Sequence, residues 1–265
     1  MPHTIASLFD AMWQDYIVQC PSADKIHQLL EHDGEIINDH VAFRTFNLPE
    51  VGLDKLAQHF IALGYEAKGE YAFKQKKLFA RHFEHPSPTA PKVFISELLL
   101  EQCSDSLQQV AKSLVAQLKV DAVADKDFLY SGQQWQVSTA TYQALQQESE
   151  YAAWLAAFGY RANHFTVNVN QLPQFSHLGD VNTALKQAGF PLNQAGGEIK
   201  GSPQVLLEQS STLADKINVN FVDGVLQIPA CFYEFAQRYP MADGNLYSGF
   251  VAASADKIFE STDAR

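Results

Sequence analysis

Apolar and polar positions alternate with a period of two along two stretches of this chain, and a histidine opens each run. In Asn38–Phe46 (NDHVAFRTF), Val41, Phe43 and Thr45 fall on one side of an extended strand and His40, Ala42 and Arg44 on the other. In residues 163–170 (NHFTVNVN), Phe165, Val167 and Val169 oppose His164, Thr166, Asn168 and Asn170. Side chains on a strand alternate between faces, so both histidines belong to the more polar face, where a cleft would lie. Leu-Pro follows eight residues after each histidine, as Leu48-Pro49 and Leu172-Pro173. A helical pattern comes next, at 53–63 and 181–188, and ends in Gly64-Tyr65 and Gly189-Phe190. Three landmarks in the same order indicate an internal duplication.

The rest of the pattern fills in around the two copies. Ile5, Leu8, Phe9, Met12 and Ile17 form a helical stripe over 4–19, closed by Pro21. Ser22 reads as the N-cap of a second helix that stops at Gly34. Two strands are expected between 65 and 83 and a further one at Lys92–Leu98, which makes the first copy a β-α-β-β-β module. Residues 104–118 and 142–158 have helical spacing with glutamine-rich exposed faces, a helical insert between the modules. In the second copy, strands are expected near 192–194, 205–210, 217–221 and 231–236. The tail at 250–262 is expected to fold back over the cleft. The fold class is therefore α+β, one composite domain: N-terminal helices (1–37), first module (38–101), insert (102–160), second module (161–240) and tail (241–265).

Composition narrows the partners. Of 265 residues, 46% are apolar and 18% charged, the profile of an ordinary globular protein. A net charge of −11 argues against nucleic acid or an anionic membrane as the main partner. Three widely spaced cysteines, Cys20, Cys103 and Cys231, suit a reducing compartment better than a disulfide framework. The N-terminus shows no signal pattern and no apolar run is long enough to span a membrane, so a cytoplasmic location is expected.

Candidate chemistry clusters on the duplicated strands. Glu97 and Glu234 each stand alone in an apolar strand, where an unpaired carboxylate is costly to desolvate. Arg81 and Arg238 are available as salt-bridge partners for them; the functional alternative is metal ligation together with the histidines. One imidazole alone reads as a strand-end residue bonded to a carbonyl, but two in matched positions favour a shared site. Two histidines and one carboxylate leave coordination positions open, as in non-haem Fe(II) oxygen chemistry. Two histidines and two carboxylates would suit Lewis-acid work by zinc or nickel. His82 and His85 are the strongest spare ligands, and their spacing of three lets at most one of them face the site from a strand. Arg44 shares a face with His40 and could hold a substrate carboxylate through two parallel hydrogen bonds, with a surface ion pair as the alternative. Asn168 occupies the matching position in the second module. Gly196-Gly197-Glu198-Ile199-Lys200-Gly201 lacks the parallel β-α-β context of a dinucleotide site, and Cys231 reads as a core thiol.

The stretches DHVAFRTF (39–46), RHFEHP (81–86), FISEL (94–98), NHFT (163–166), YEFAQR (233–238) and IFEST (258–262) together resemble the 2-oxoadipate dioxygenase/decarboxylase (hydroxyglutarate synthase) family. That family is similar to the vicinal oxygen chelate superfamily, whose paired β-α-β-β-β modules form a cupped sheet or barrel. The resemblance spans nearly the whole chain. It implies an Fe(II) enzyme that combines a 2-oxo dicarboxylic acid with O2, giving a shorter 2-hydroxy acid and CO2. Carried over by position, it implies His40, His164 and Glu234 as iron ligands and Arg44 as the clamp on the distal carboxylate. It also puts Ser254 near the substrate and leaves Glu97 as a possible fourth ligand. Two other readings stay open at this stage: a metal-dependent lyase, isomerase or hydrolase of the same fold, and a metal-free protein that binds a small acid.

Overall fold

The computed structural model describes residues 4–31 and 36–262. Helices α1 (Ile5–Gln19) and α2 (Pro21–Leu30) open the chain. Thr4 caps α1, accepting from the Ser7 N–H, and Pro21 takes the first position of α2, where its missing N–H costs nothing. Ser22 therefore lies inside α2 and does not cap it. The expected stop at Gly34 lies outside the described residues.

The first module is β1 (Asn38–Phe46), α3 (Leu53–Ile61), β2 (Glu66–Phe73), β3 (Leu78–Glu84) and β4 (Lys92–Leu98). The insert contributes α4 (Asp105–Val115), α5 (Thr139–Glu148) and α6 (Glu150–Phe158). The pattern over 142–158 is split at Ser149, which ends α5 and whose side chain caps α6 at Ala152. Every residue of α6 from Tyr151 to Phe158 is buried, so this helix has no glutamine-rich outer face. The second module is β5 (Ala162–Asn168), α7 (Leu178–Gln187), β6 (Lys200–Ser202), β7 (Leu207–Ser211) and β10 (Phe232–Arg238). Between β7 and β10, β8 (Lys216–Phe221) and β9 (Gly224–Pro229) form a separate two-stranded sheet. Residues 217–221 thus pair within a hairpin and not in the main sheet, closing over Val222-Asp223. Of the segment 192–194, only Leu192 makes a bridge, to Thr212; the edge strand begins at Lys200. A tail helix, α8 (Ala252–Ile258), and a short turn at Phe259–Thr262 complete the described chain.

The eight strands of the main sheet run in the order β2-β3-β4-β1-β5-β10-β7-β6. Each module has its first strand innermost and parallel to its last, and β1 meets β5 antiparallel at the centre. The duplication is thus a pseudo-twofold whose axis runs between β1 and β5. Laid flat, seven strand spacings would separate the edges by roughly 34 Å. Helix α8, about 10 Å long, touches both β2 and β6, so the sheet curls around it. Phe43, Phe165 and Tyr233 face outward and pack on Phe60 of α3 and on Trp13 and Tyr16 of α1. This is the outer core; His40, His164 and Glu234 project from the same strands into the concave side.

Candidate metal centre

Cross-strand register brings three donors together. His40 and Glu234 both pair with Thr166 of β5, and His164 pairs with Ala42 and Phe232, so all these side chains share the concave face. Ligand atoms of His40, His164 and Glu234 lie within 4.8 Å of one another, all buried. His164 Nε2 is 3.1 Å from Glu234 Oε2, and His40 Nε2 is 3.7 Å from Oε1. Donors bound to one ion at about 2.1 Å stand roughly 3 Å apart, which these spacings approach.

The orientation of each imidazole follows from an irregularity in its strand. On β1 two residues advance between Asn38 and His40 while β5 advances one, so Asp39 is the extra residue of a bulge. On β5 two residues advance between Ala162 and His164 against one on β1, which makes Asn163 its counterpart. A bulge re-aims side chains that strict alternation would send to the other face. Asp39 Oδ1 sits 2.8 Å from His40 Nδ1, and Asn163 Oδ1 sits 3.1 Å from His164 Nδ1. These acceptors keep the proton on Nδ1 and leave each Nε2 lone pair facing the centre. Thr166 Oγ1 lies 3.1 Å from His40 Nε2. Asp39 is in turn gripped by Arg238, at 2.6 Å from Nε and 2.8 Å from Nη2. Burial alone would raise the Asp39 carboxyl, but Arg238 and His40 hold it well below the usual range.

Glu234 is fully buried and accepts from Gln209 Nε2 at 2.6 Å. Burial opposes its charge, yet the facing His40 and His164 rings and Gln209 keep its carboxyl below the ordinary value. Burial pushes His164 below the usual imidazole value against the pull of Glu234. The His164 ring is thus placed to be a neutral donor beside an anion. Glu234 Oε2, despite its closeness to His164, makes no hydrogen bond. A buried carboxylate oxygen left unbonded beside one imidazole, with the second imidazole facing the same carboxylate, fits a divalent cation. Phe232 stacks on His164 at 4.6 Å, and Phe250 meets His40 edge-on at 4.8 Å, so the walls of the site are aromatic.

Other sequence candidates are placed elsewhere. Glu97 faces the outer side, paired with Thr45, and its Oε2 accepts from the Leu53 N–H at the start of α3. It is a helix-end acceptor and not a fourth ligand. Arg81 pairs with Asp54 and Glu70, and Arg238 with Asp39, so neither serves the strand acid expected of it. His82 does lie on the concave side but is held between Tyr71 (2.9 Å) and Glu84 (2.8 Å), with Phe250 between it and His40. Asn168 accepts from the Asn170 N–H and stands at the opposite end of the central strands from Arg44, so it forms no facing wall. Ser254 is buried against Gly201 of β6. Helix α8 lines the cavity beside the triad through Ala255 and Ile258 instead, with Phe259 just beyond. Arg44 is buried on the concave side, between the Tyr151 and Trp154 rings at 5.0 Å each.

Periodicity does not single out Asp39, Asn163, Gln209 or Lys200 as partners of the site. The repeated Asp-His and Asn-His dipeptides were the available signal for the first two. Lys200, paired with Gln209, buries its ammonium against the Asn193 and Glu198 carbonyls, and desolvation lowers it to about 8.

Two pseudo-symmetric β-α-β-β-β modules that share a buried His-His-Glu cluster define a fold of the vicinal oxygen chelate type with a candidate metal site. The sequence profile of the 2-oxoadipate dioxygenase/decarboxylase family matches residues 3–245, and the chain belongs to that family. A chloroplastic 2-oxoadipate dioxygenase/decarboxylase of Arabidopsis thaliana is 35% identical, over 97% of this chain and 76% of that protein. The crystal structure of hydroxyglutarate synthase from Oryza sativa, in complex with 2-oxoadipate, superposes with a TM-score of 0.91. It is 32% identical over 97% of this chain and 91% of that one. A Shewanella frigidimarina protein named only as a candidate hydrolase is 62% identical, with a TM-score of 0.92 over 96% of this chain and all of its own. A glyoxalase-superfamily protein of Ralstonia eutropha, 21% identical with a TM-score of 0.73, covers 95% of this chain and 88% of its own, and shares the fold alone. Among the described residues, no helix is long and apolar enough to cross a membrane.

Proposed function

We propose that this chain is an Fe(II)-dependent dioxygenase/decarboxylase that converts a 2-oxoadipate-like dicarboxylic acid and O2 to a 2-hydroxyglutarate-like acid and CO2. The observation that carries the reading is the buried triad His40, His164 and Glu234, drawn from both modules onto one concave face. Bound there, iron would supply the redox chemistry with O2 and a site for chelation by the 2-oxo acid, with positions left open beside three protein donors. Asp39 and Asn163 fix both imidazoles, and Gln209 fixes Glu234, so the donors are oriented before any ligand arrives. Phe94, Phe232, Phe250 and Ile258 surround the centre with apolar surface and exclude water from it. Arg44 takes the substrate's distal carboxylate and sets its orientation. A reducing cytoplasm suits both Fe(II) and the three unpaired, buried cysteines.

The decisive measurement is O2 uptake by iron-loaded protein with 2-oxoadipate and its shorter and longer homologues. Turnover is expected with dicarboxylic 2-oxo acids, and His164→Ala is expected to abolish it. Protein that binds iron stoichiometrically yet consumes no O2 with any of these acids would instead favour the Lewis-acid alternative.

A further inference from the structure

The two buried arginines of the concave side are held in different ways. Arg238 forks Nε and Nη2 onto Asp39 and gives Nη1 to the Tyr247 and Gly249 carbonyls, each at 2.8 Å, so all three of its guanidinium nitrogens have a partner. Arg44 donates Nη1 to one oxygen of Glu150 at 3.0 Å and Nη2 to Thr262 at 2.9 Å. Its buried Nε has no partner. A lasting Arg–carboxylate pair in the interior normally uses the fork. The Glu150 side chain is instead 26% exposed and lies on the wall of a water-accessible cleft of about 220 Å3 with Lys76, Lys77 and Glu260.

The tail that supplies Thr262 also closes the metal centre. Phe259 lies 5.9 Å from the Arg44 guanidinium and, with Ile258 and Ala255, lines the cavity against the triad. That cavity measures about 20 Å3, room for roughly one water. A small-molecule site needs on the order of 300 Å3. An acid that reaches the triad must therefore displace the Phe259 side of the tail, and Thr262 leaves Arg44 in the same movement.

We propose that Glu150 is a specificity-determining placeholder: it holds Arg44 in the closed protein and swings into the cleft when the distal carboxylate of the substrate takes its place. This rests on the reading of Arg44 as the substrate clamp. A dicarboxylate exchanges one carboxylate for another on Arg44 and gains the unused Nε. A monocarboxylic 2-oxo acid has nothing to offer Arg44, which keeps its Glu150 partner when such an acid displaces the tail. Glu150 thereby sets the threshold a substrate must pass.

The test is Glu150→Gln in the full iron-loaded chain, with KM for 2-oxoadipate compared with KM for 2-oxohexanoate, and calorimetric titration with glutarate as an independent readout. Glu150 is a quarter exposed and pairs through a single hydrogen bond, so KM for 2-oxoadipate and Kd for glutarate are expected to fall on the order of three- to fivefold. KM for 2-oxohexanoate should stay unchanged. A fixed orienting role for Glu150 would raise the dicarboxylate constants; a rise or no change overturns the proposal. Thr262→Val removes the other Arg44 partner without changing charge and is expected to shift the constants in the same direction, which guards against misfolding of the first variant. Arg44→Met separates the two ideas. If it keeps the preference for the dicarboxylate, the clamp reading fails; if it loses that preference while Glu150→Gln weakens binding, only the exchange fails.

Discussion

Two bulge residues decide how the histidines face the centre. Asp39 and Asn163 occupy equivalent places in the two modules, yet one is an anion tied to Arg238 and the other a neutral amide. A carboxylate on Nδ1–H makes the opposite ring nitrogen a stronger donor than an amide does. Asp39→Asn is accordingly expected to lower metal affinity by about 10- to 100-fold, measured by competition with a chelator, while His40 remains in place. Alternation along NDHVAFRTF puts Asp39 opposite His40. The register against β5 overrides it, because the extra residue has no partner across the strand and turns with its neighbour. The histidines themselves were legible from period and repeat; the partners behind them depend on a neighbouring strand distant in sequence.

At the scale of elements, the parts with strong local signals formed where their patterns place them: the amphipathic α1 and α3, the alternating β1 and β5, and the apolar β4 and β10. Weakly specified pieces went elsewhere. The strand at 216–221 alternates well but joins β9, the strand next to it in sequence, since a two-residue loop brings that partner close. Glu97 shows how an element can claim an apparent ligand. The unpaired N–H groups at the start of α3 attract a carboxylate, and Glu97 Oε2 meets the Leu53 N–H at 2.8 Å. Glu97→Gln is expected to leave metal content unchanged and to cost about 0.5–2 kcal/mol of stability, read from denaturant unfolding. Loss of metal from this variant would restore Glu97 to the site.

For the molecule as a whole, an ion held at the proposed centre would tie together two halves that meet along the β1–β5 ladder and through Asp39–Arg238. Donors from β1, β5 and β10 come together only when both modules are folded and docked, so metal binding at the proposed centre would add directly to global stability. At a free-ion concentration about 100 times Kd the gain is about 2.7 kcal/mol. Stripping the ion with a chelator should lower Tm by roughly 5–10 °C, and readdition should restore it. His164→Ala should show neither effect. An unchanged Tm in the wild type would mean that the triad holds no ion strongly enough to matter.

The sequence by itself determined the duplicated modules, the shared face of the two histidines and the apolar setting of Glu234. All three follow from local periodicity and from a repeat carried within one chain. Only the tertiary structure decided that Glu234 and not Glu97 turns inward, that Asp39 and Asn163 stand behind the imidazoles, and that Arg44 is shared between Glu150 and Thr262. Those choices depend on register, on helix ends and on contacts between segments more than a hundred residues apart, and no pattern along a single strand encodes them.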